Sequence, residues 1–386
     1  MGSLLLAIIY LCFISLGLPD ALLGSAWPVL HTELSVPLSY AGLVSSTIMI
    51  GTILSSFASD RLLRRFGTGG ITVASTFLTA LGLFGFSISK SFIHLILFAI
   101  PYGLGAGAVD AVLNNYVAVH YKPQHMNWLH GMWGLGATVS PYIMSFSLAR
   151  LHGWSFGYLI VAVVQLALAV FMLFTLPMWK KSSVDEATTH SQPPTLREIF
   201  TTRGTVACFI VPFVYCALEM TTTLWASSYL VTRWDMTPEF AAGLSATFYF
   251  GITVGRLISG FLAMRLSDKA LIRLGSSLVG LGILLLLLPV SPIFTVIGFI
   301  IIGLGSAPIY PCIIHTTPII FGPERSGALI GFQMGFAYLG FLIVPPIFGL
   351  IAEYVSMSFL PLFLAVFLLL IVIFHERVVK ISKNTK

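Results

Sequence analysis

Gly280-Leu281-Gly282-Ile283-Leu284-Leu285-Leu286-Leu287-Leu288-Pro289-Val290 closes a segment, 270–290, whose one charge is Arg273. Taken alone, the run Ile283 to Leu288 fits a buried strand. It does not alternate, however, and the whole segment has the length of about 20 residues that an α-helix needs to cross roughly 30 Å of hydrocarbon. Outer-membrane barrel strands are shorter and alternate, so the segment is read as a membrane-spanning helix.

The rest of the chain repeats this pattern. Of 386 residues 57% are hydrophobic and 9% charged, against about 25% charged in a soluble domain. Cutting at charges, prolines and glycines gives twelve spans: 4–30, 38–60, 69–89, 92–121, 126–149, 155–178, 204–231, 239–264, 270–290, 292–320, 325–351 and 356–375. The fold class is therefore an all-α polytopic membrane protein. Met1 runs directly into Leu4, Leu5 and Leu6 with no basic segment before them, so the first span is expected to be retained rather than cleaved as a signal peptide. Cys12, Cys208, Cys216 and Cys312 fall inside apolar segments without metal-type spacing and are expected as free thiols.

Orientation follows from the basic residues. With both termini cytoplasmic, sixteen Lys and Arg lie inside, and only Lys90, Arg150 and Arg233 lie outside. The net charge of +6 is thus a matter of topology, and no basic, aromatic-rich cluster suggests nucleic acid. The polar stretch Lys180 to Arg203 reads as a cytoplasmic linker. It divides the chain into a six-helix half over 1–178, a linker over 179–203 and a second six-helix half with a short tail over 204–386.

The halves repeat one another. At an offset of 200, Gly103-Leu104-Gly105 meets Gly303-Leu304-Gly305, Pro123 meets Pro323 and Gly131 meets Gly331; at 204, Gly51, Ser55, Phe57 and Arg61 meet Gly255, Ser259, Phe261 and Arg265. Repeated halves predict alternating access at a midplane site between them.

An ionisable group inside a bilayer costs at least about 2.5–3.5 kcal/mol, so each one needs a partner, water or a purpose. Asp20 lies on span 1, Asp110 on span 4, Glu219 on span 7 and Arg256 on span 8, with His130 on span 5 and His315 on span 10. Asp20, Asp110, Glu219 and His315 come one from each three-helix unit, which is the pattern of a shared polar path. The competing reading is a set of hydrogen bonds bridging helices. Pro19 can open span 1 beside Asp20, and Asn114 follows Asp110 by one turn on the same face. A desolvated carboxylate has its charged form disfavoured, which is what a proton carrier requires.

Asn115, Gln165 and Gln333 supply neutral polar groups, and Trp133, Trp225 and Tyr310 supply aromatic faces suited to a polyhydroxylated ring. Trp27, Trp128, Tyr102, Tyr116 and Tyr249 fit helix packing or an interfacial belt equally well. Asp60-Arg61-Leu62-Leu63-Arg64-Arg65-Phe66-Gly67 ends span 2, and Arg265, Asp268 and Arg273 echo it after span 8. Asp60, Arg61, Arg65, Arg256 and Asp268 are the gating candidates, with Asp60 set to face the N-terminal end of span 11. No Walker loop, HExxH, GxSxG or His/Cys cluster occurs, so ATP-driven transport, hydrolase and metal chemistry are not expected.

These residues resemble the major facilitator superfamily. The Asp60 to Gly67 segment is similar to that family's loop between helices 2 and 3, departing at Asp60 or at Ser56 and Leu63 according to the anchor chosen. Leu18-Pro19-Asp20-Ala21-Leu22-Leu23 and Val109-Asp110-Ala111-Val112-Leu113-Asn114 resemble the fucose/glucose proton-symporter group. So do Met126-Asn127-Trp128-Leu129-His130, Glu219 to Trp225, Gly255-Arg256, Ile309-Tyr310-Pro311 and Val344 to Gly349. The resemblance implies proton coupling at Asp20 and Asp110. With the polar and aromatic residues singled out above, the substrate-contact candidates are Asn114, Asn115, His130, Trp133, Glu219, Trp225, Tyr310, His315 and Gln333. Asp110 stands where the group more often has glutamate, and His130 where it has glutamine.

The expectation is a proton-coupled sugar or polyol symporter with no cofactor and no bound metal. It works as a monomer with a small-molecule substrate in a cell membrane, of the prokaryotic inner-membrane type. A proton antiporter exporting a drug or metabolite is the alternative: Gly131, Gly134, Gly136 and Pro141 partly resemble the exporters' motif. A sensor that has lost transport lacks the loops for a regulatory domain, and sodium coupling is left open.

Overall fold

The computed structural model describes residues 2–121, 123–151, 153–179, 202 and 204–384. Its description does not extend to the side chains of 2–3, 60, 118–119, 123–124, 126–127, 323–328 and 382–384. The linker reading over 179–203 thus lies outside it, apart from Trp179 and Thr202. Among the described residues there is helix and no strand.

The α-helices of the first half are α1 (Gly2–Gly17), α2 (Leu22–Glu33), α3 (Tyr40–Ser87), α4 (Phe92–His120), α5 (Pro123–Arg150) and α6 (Trp154–Thr175). Those of the second are α7 (Thr205–Trp234), α8 (Pro238–Leu262), α9 (Asp268–Leu287), α10 (Pro292–Ser306), α11 (Ile309–Phe321), α12 (Pro323–Ile351) and α13 (Leu360–Asn384). Ten stretches are long and apolar enough to cross a membrane. One of them, Leu329–Ile381, covers both α12 and α13, and α5, diluted by polar residues, completes twelve spans. Ser91, Ser267 and Ser291 cap spans 4, 9 and 10 by accepting from the N–H groups of His94, Ala270 and Ile293.

Four spans are not separate straight helices. Span 1 breaks at the proline: α1 stops at Gly17 and α2 starts at Leu22, with Asp20 N–H bonded to Gly17 O and Leu22 N–H to Pro19 O in tight turns. Span 10 breaks between Ser306 and Ile309, around Pro308. Spans 2 and 3 run together as α3, which turns at Gly67, where φ is +68° and only glycine is at ease. The expected 2–3 loop is therefore a tight turn at Gly67 between two helices that follow one another directly.

The internal repeat is built into the packing. Gly51 lies against Gly103 and Leu104, as Gly255 lies against Leu304; Gly103 meets Ile48, as Gly303 meets Ile252. Gly105 meets Ser75 and Thr79, as Gly305 meets Gly275 and Val279, while Gly82 meets Phe98 and Tyr102, as Gly282 meets Gly298 and Ile302. Every one of these pairs keeps the 200 or 204 offset. A further pair was not legible before: Gly136 lies against Ile14 and Leu18, as Gly340 lies against Phe213 and Ala217. Spans 1 and 7 are thus related by 199, and spans 5 and 11 by 204 at this depth. The register read from Gly131 and Gly331 shifts by one helical turn, and Gly131 corresponds to Gly335.

Contacts between the halves gather at the end that carries the 1–2 and 11–12 connections. Gly24 packs on the backbone of Thr223 and Leu224, and Gly42 on Pro346. Ser25 Oγ lies 3.2 Å from Ser245 Oγ, and Ser39 N–H donates to Glu353 Oε2 at 2.9 Å. Gly24 and Thr223 are related by the same 199, so span 1 meets its own counterpart there, as elements crossing on a twofold axis must. Side chains placed at Gly131, Gly331 or Gly335, near the opposite end, would meet open space. The molecule is closed at the 1–2 end and open at the other.

Candidate functional site

The break in span 1 places Asp20 beside span 5, where Trp133 Nε1 donates to Asp20 Oδ2 at 2.7 Å. Asp20 lies within electrostatic reach of Asp110 and Glu219, and Tyr102 on span 4 and Tyr249 on span 8 face it. The Trp133 ring meets the Tyr249 ring edge-on at 5.9 Å and carries the Arg256 guanidinium 5.0 Å from its centroid. Arg256 Nη1 donates to His130 O at 3.3 Å. Glu219 is buried on span 7, with Arg256 as its opposing charge and Tyr215, one turn earlier, facing it. By the 199 offset Asp20 and Glu219 are equivalent positions.

Asp110 forms the second focus. Asn114 Nδ2 donates to Asp110 Oδ1 and to the Asp110 carbonyl, each at 2.9 Å, as the one-turn spacing predicts. Tyr310 and Tyr338 of the second half lie within its field, and the Tyr310 ring stacks on Tyr215 at 6.0 Å. By the 200 offset Tyr310 is the counterpart of Asp110. The centre therefore holds three carboxyl groups and one guanidinium, lined by Trp133, Tyr102, Tyr215, Tyr249, Tyr310 and Tyr338.

Other expected site residues are placed elsewhere. His315 is 70% exposed toward the open end, with Nδ1 2.8 Å from Asp268 Oδ2, because span 10 carries it well past the level of Tyr310. Asp20, Asp110 and Glu219 thus come together with Tyr310, and His315 lies apart from them. Trp225 is fully buried near the closed end; its Nε1 donates to Pro345 O at 3.0 Å and its ring covers Gly349. Gln333 is fully buried between helices: Nε2 donates to Cys208 Sγ at 2.8 Å and Oε1 accepts from Thr317 at 3.0 Å. His130 presents its ring to Phe13 at 5.9 Å, and Asn115 is exposed, off the Asp110–Asn114 face.

Arg256, expected at the gate, lies on Trp133 in the centre. Arg61 and Arg65 are exposed at the open end, where Arg65 sits over Phe66. The Asp60 side chain lies outside the described residues. The four cysteines are buried free thiols.

Gln333 makes a measurable distinction. Interhelical hydrogen bonds in membranes average about 0.6 kcal/mol each, so Gln333→Leu is expected to cost about 1 kcal/mol of stability, read as a lower melting temperature of the purified protein. Substrate affinity is expected to stay unchanged, and a many-fold weakening of binding would put Gln333 on the substrate after all.

Tyr215 and Tyr338 were not singled out beforehand. Tyr215 was findable, because it precedes Glu219 by four residues on one helix face. Tyr338 had no such signal.

Comparison with known proteins agrees with this architecture. The sequence profile of the Major Facilitator Superfamily matches residues 9–243 and 215–386. Bypass of stop codon protein 6 of Saccharomyces cerevisiae is 24% identical over 91% of this chain and 77% of its own length. The glucose/mannose transporter GlcP of Bacillus subtilis is 22% identical over 85% of this chain and 86% of its own. Among solved structures, that of the nucleoside transporter NupG superimposes with a TM-score of 0.78 at 14% identity, covering 97% of this chain and 98% of that one.

Proposed function

Because this chain belongs to the Major Facilitator Superfamily, and is therefore a multi-pass membrane transporter of small solutes rather than an enzyme, we propose that it is a proton-coupled symporter of a sugar or related polyol. The observation that carries the reading is the charge imbalance at the centre: Asp20 lies within the field of both Asp110 and Glu219, and the one guanidinium among them, Arg256, opposes Glu219. Two negative charges in a low-dielectric site call for bound cations, and protons are the cations that need no coordination cage. Aromatic faces beside Asn114 suit a pyranose ring, and the likeness to GlcP supports a sugar.

In this reading both termini are cytoplasmic, the halves are 1–178 and 204–386, and the protein works as a monomer in a cell membrane of the prokaryotic inner-membrane type. The closed end then faces outward and the structure is inward-facing. Protons enter Asp110 and Asp20 from outside, protonation favours sugar binding, and deprotonation toward the cytoplasm releases both. A proton shifts the conformational equilibrium only to the extent that it binds the two states differently, so coupling requires the surroundings of Asp20 or Asp110 to change between the inward-facing and the outward-facing state.

The test is uptake of radiolabelled glucose, and then of a panel of monosaccharides and polyols, into proteoliposomes that are acidic outside. The expected result is accumulation abolished by a protonophore. Proton-driven uptake into inverted vesicles with an acidic lumen would establish the antiporter instead. A sodium gradient that drives accumulation at equal pH would replace the proton.

A further inference from the structure

Among the described residues, Trp133 is the one side chain with a direct contact both to Asp20 of the first half and to Arg256 of the second. Its indole N–H donates to Asp20 Oδ2 at 2.7 Å, and its ring face carries Arg256, with Cζ 5.0 Å from the centroid. Asp20 and Trp133 sit on spans 1 and 5, whereas Arg256 sits on span 8, whose seam with span 5 also includes the Arg256 bond to His130 O and the Thr138 and Thr253 hydroxyls 3.5 Å apart. Gly134, the next residue, packs on Thr253, so span 5 carries Trp133 directly at its seam with span 8.

The geometry points to Trp133 as the residue that transmits the ionisation state of Asp20 to the contact between the halves, an assignment that rests on the proton-coupled reading above. A hydrogen bond to an ionised carboxylate is roughly twice as strong as one to a neutral group. With Asp20 ionised, the indole is held, its face stays beneath Arg256, and spans 5 and 8 stay clasped as seen here. Protonation of Asp20 slackens that bond, frees the ring to rotate and withdraws the surface on which Arg256 rests.

The groups facing Asp20 from other helices are Asp110 and Tyr102 on span 4, Glu219 on span 7 and Tyr249 on span 8. Those facing Arg256 are Glu219 and Tyr215 on span 7 and His130 on span 5. Among the described residues only Trp133 bridges the two sets by direct contact. Its function is positioning rather than substrate chemistry.

Spin labels on cysteines introduced at Phe66 and Met264, exposed at the open end of the two halves, report the separation of those ends by double electron–electron resonance. The native thiols are buried. In lipid nanodiscs without substrate, the parent is expected to move from the separated to the approached population as pH falls from 8 to 5. Trp133→Phe keeps the ring and removes the donor, so the midpoint is expected about one pH unit higher.

Arg256→Lys keeps the charge but loses the planar stack, and is expected to halve the pH-driven change or more; it keeps the test open should Trp133→Phe misfold. If both variants titrate as the parent does, the assignment to Trp133 is wrong while proton coupling stands. If the parent itself ignores pH, proton coupling falls, and this assignment with it.

Discussion

Asp110→Asn loses accumulation of sugar against its gradient, while exchange of labelled for unlabelled sugar across the same membrane continues. The substitution preserves the size of the side chain and its oxygen, so the Asn114 Nδ2 bond at 2.9 Å has an acceptor in either case. What disappears is the group that takes up and releases a proton. Each proton moved with the sugar across one unit of pH difference supports about a tenfold concentration ratio, since a tenfold ratio corresponds to about 1.4 kcal/mol. The accumulated ratio is therefore expected to fall from about tenfold or more to near unity, with exchange within about threefold of the parent. Accumulation that persists in Asp110→Asn would remove Asp110 from the coupling and leave Asp20 or Glu219 to carry it.

Gly24→Leu is expected to abolish net transport by preventing closure of the end that is closed here. A Cβ at Gly24 would stand 2.6 Å from Thr223 O and 2.9 Å from Leu224 O, and backbone atoms of a packed helix cannot move aside as a side chain can. Relief requires spans 1 and 7 to part. Because the clash exists only in this conformation, the variant retains its fold and accumulates in the opposite one. A membrane-impermeant thiol reagent applied from outside is expected to modify a cysteine placed at Ser25 at least tenfold faster in Gly24→Leu than in Gly24. Equal labelling rates would show that span 1 yields locally without the halves separating.

Much of this molecule was readable from its residues, for a definable reason. A span must satisfy its backbone internally and present apolar side chains, so twelve helices follow from hydrophobic run length. The break at Pro19 followed from a missing N–H, and the Asp110–Asn114 bond from helical periodicity. The rest depends on rotation and depth, which periodicity leaves undetermined when a helix is apolar on all sides. His315 and Gln333 belong to polar types that suit a substrate, yet one reaches the exposed end of span 10 and the other is consumed by Thr317 and Cys208. Trp225 was separated from Trp133 only by which of them met a carboxylate. The equivalence of Asp20 and Glu219 was hidden because it uses an offset of 199, visible in the contacts of Gly136 and Gly340 but not in any shared residue type.

The interruption of span 1 has a kinetic implication. Its inner arm, α1, packs on α4, α5 and α6 of its own half, while its outer arm, α2, also lies against α7 and α8 of the other. Few backbone bonds join the arms across Leu18 to Ala21, so the inner arm can swing toward the second half while the outer arm still holds its contacts there. The cycle then need not be a single rigid swing. It passes through an occluded intermediate, shut at both ends, whose lifetime is set by those four residues around Asp20.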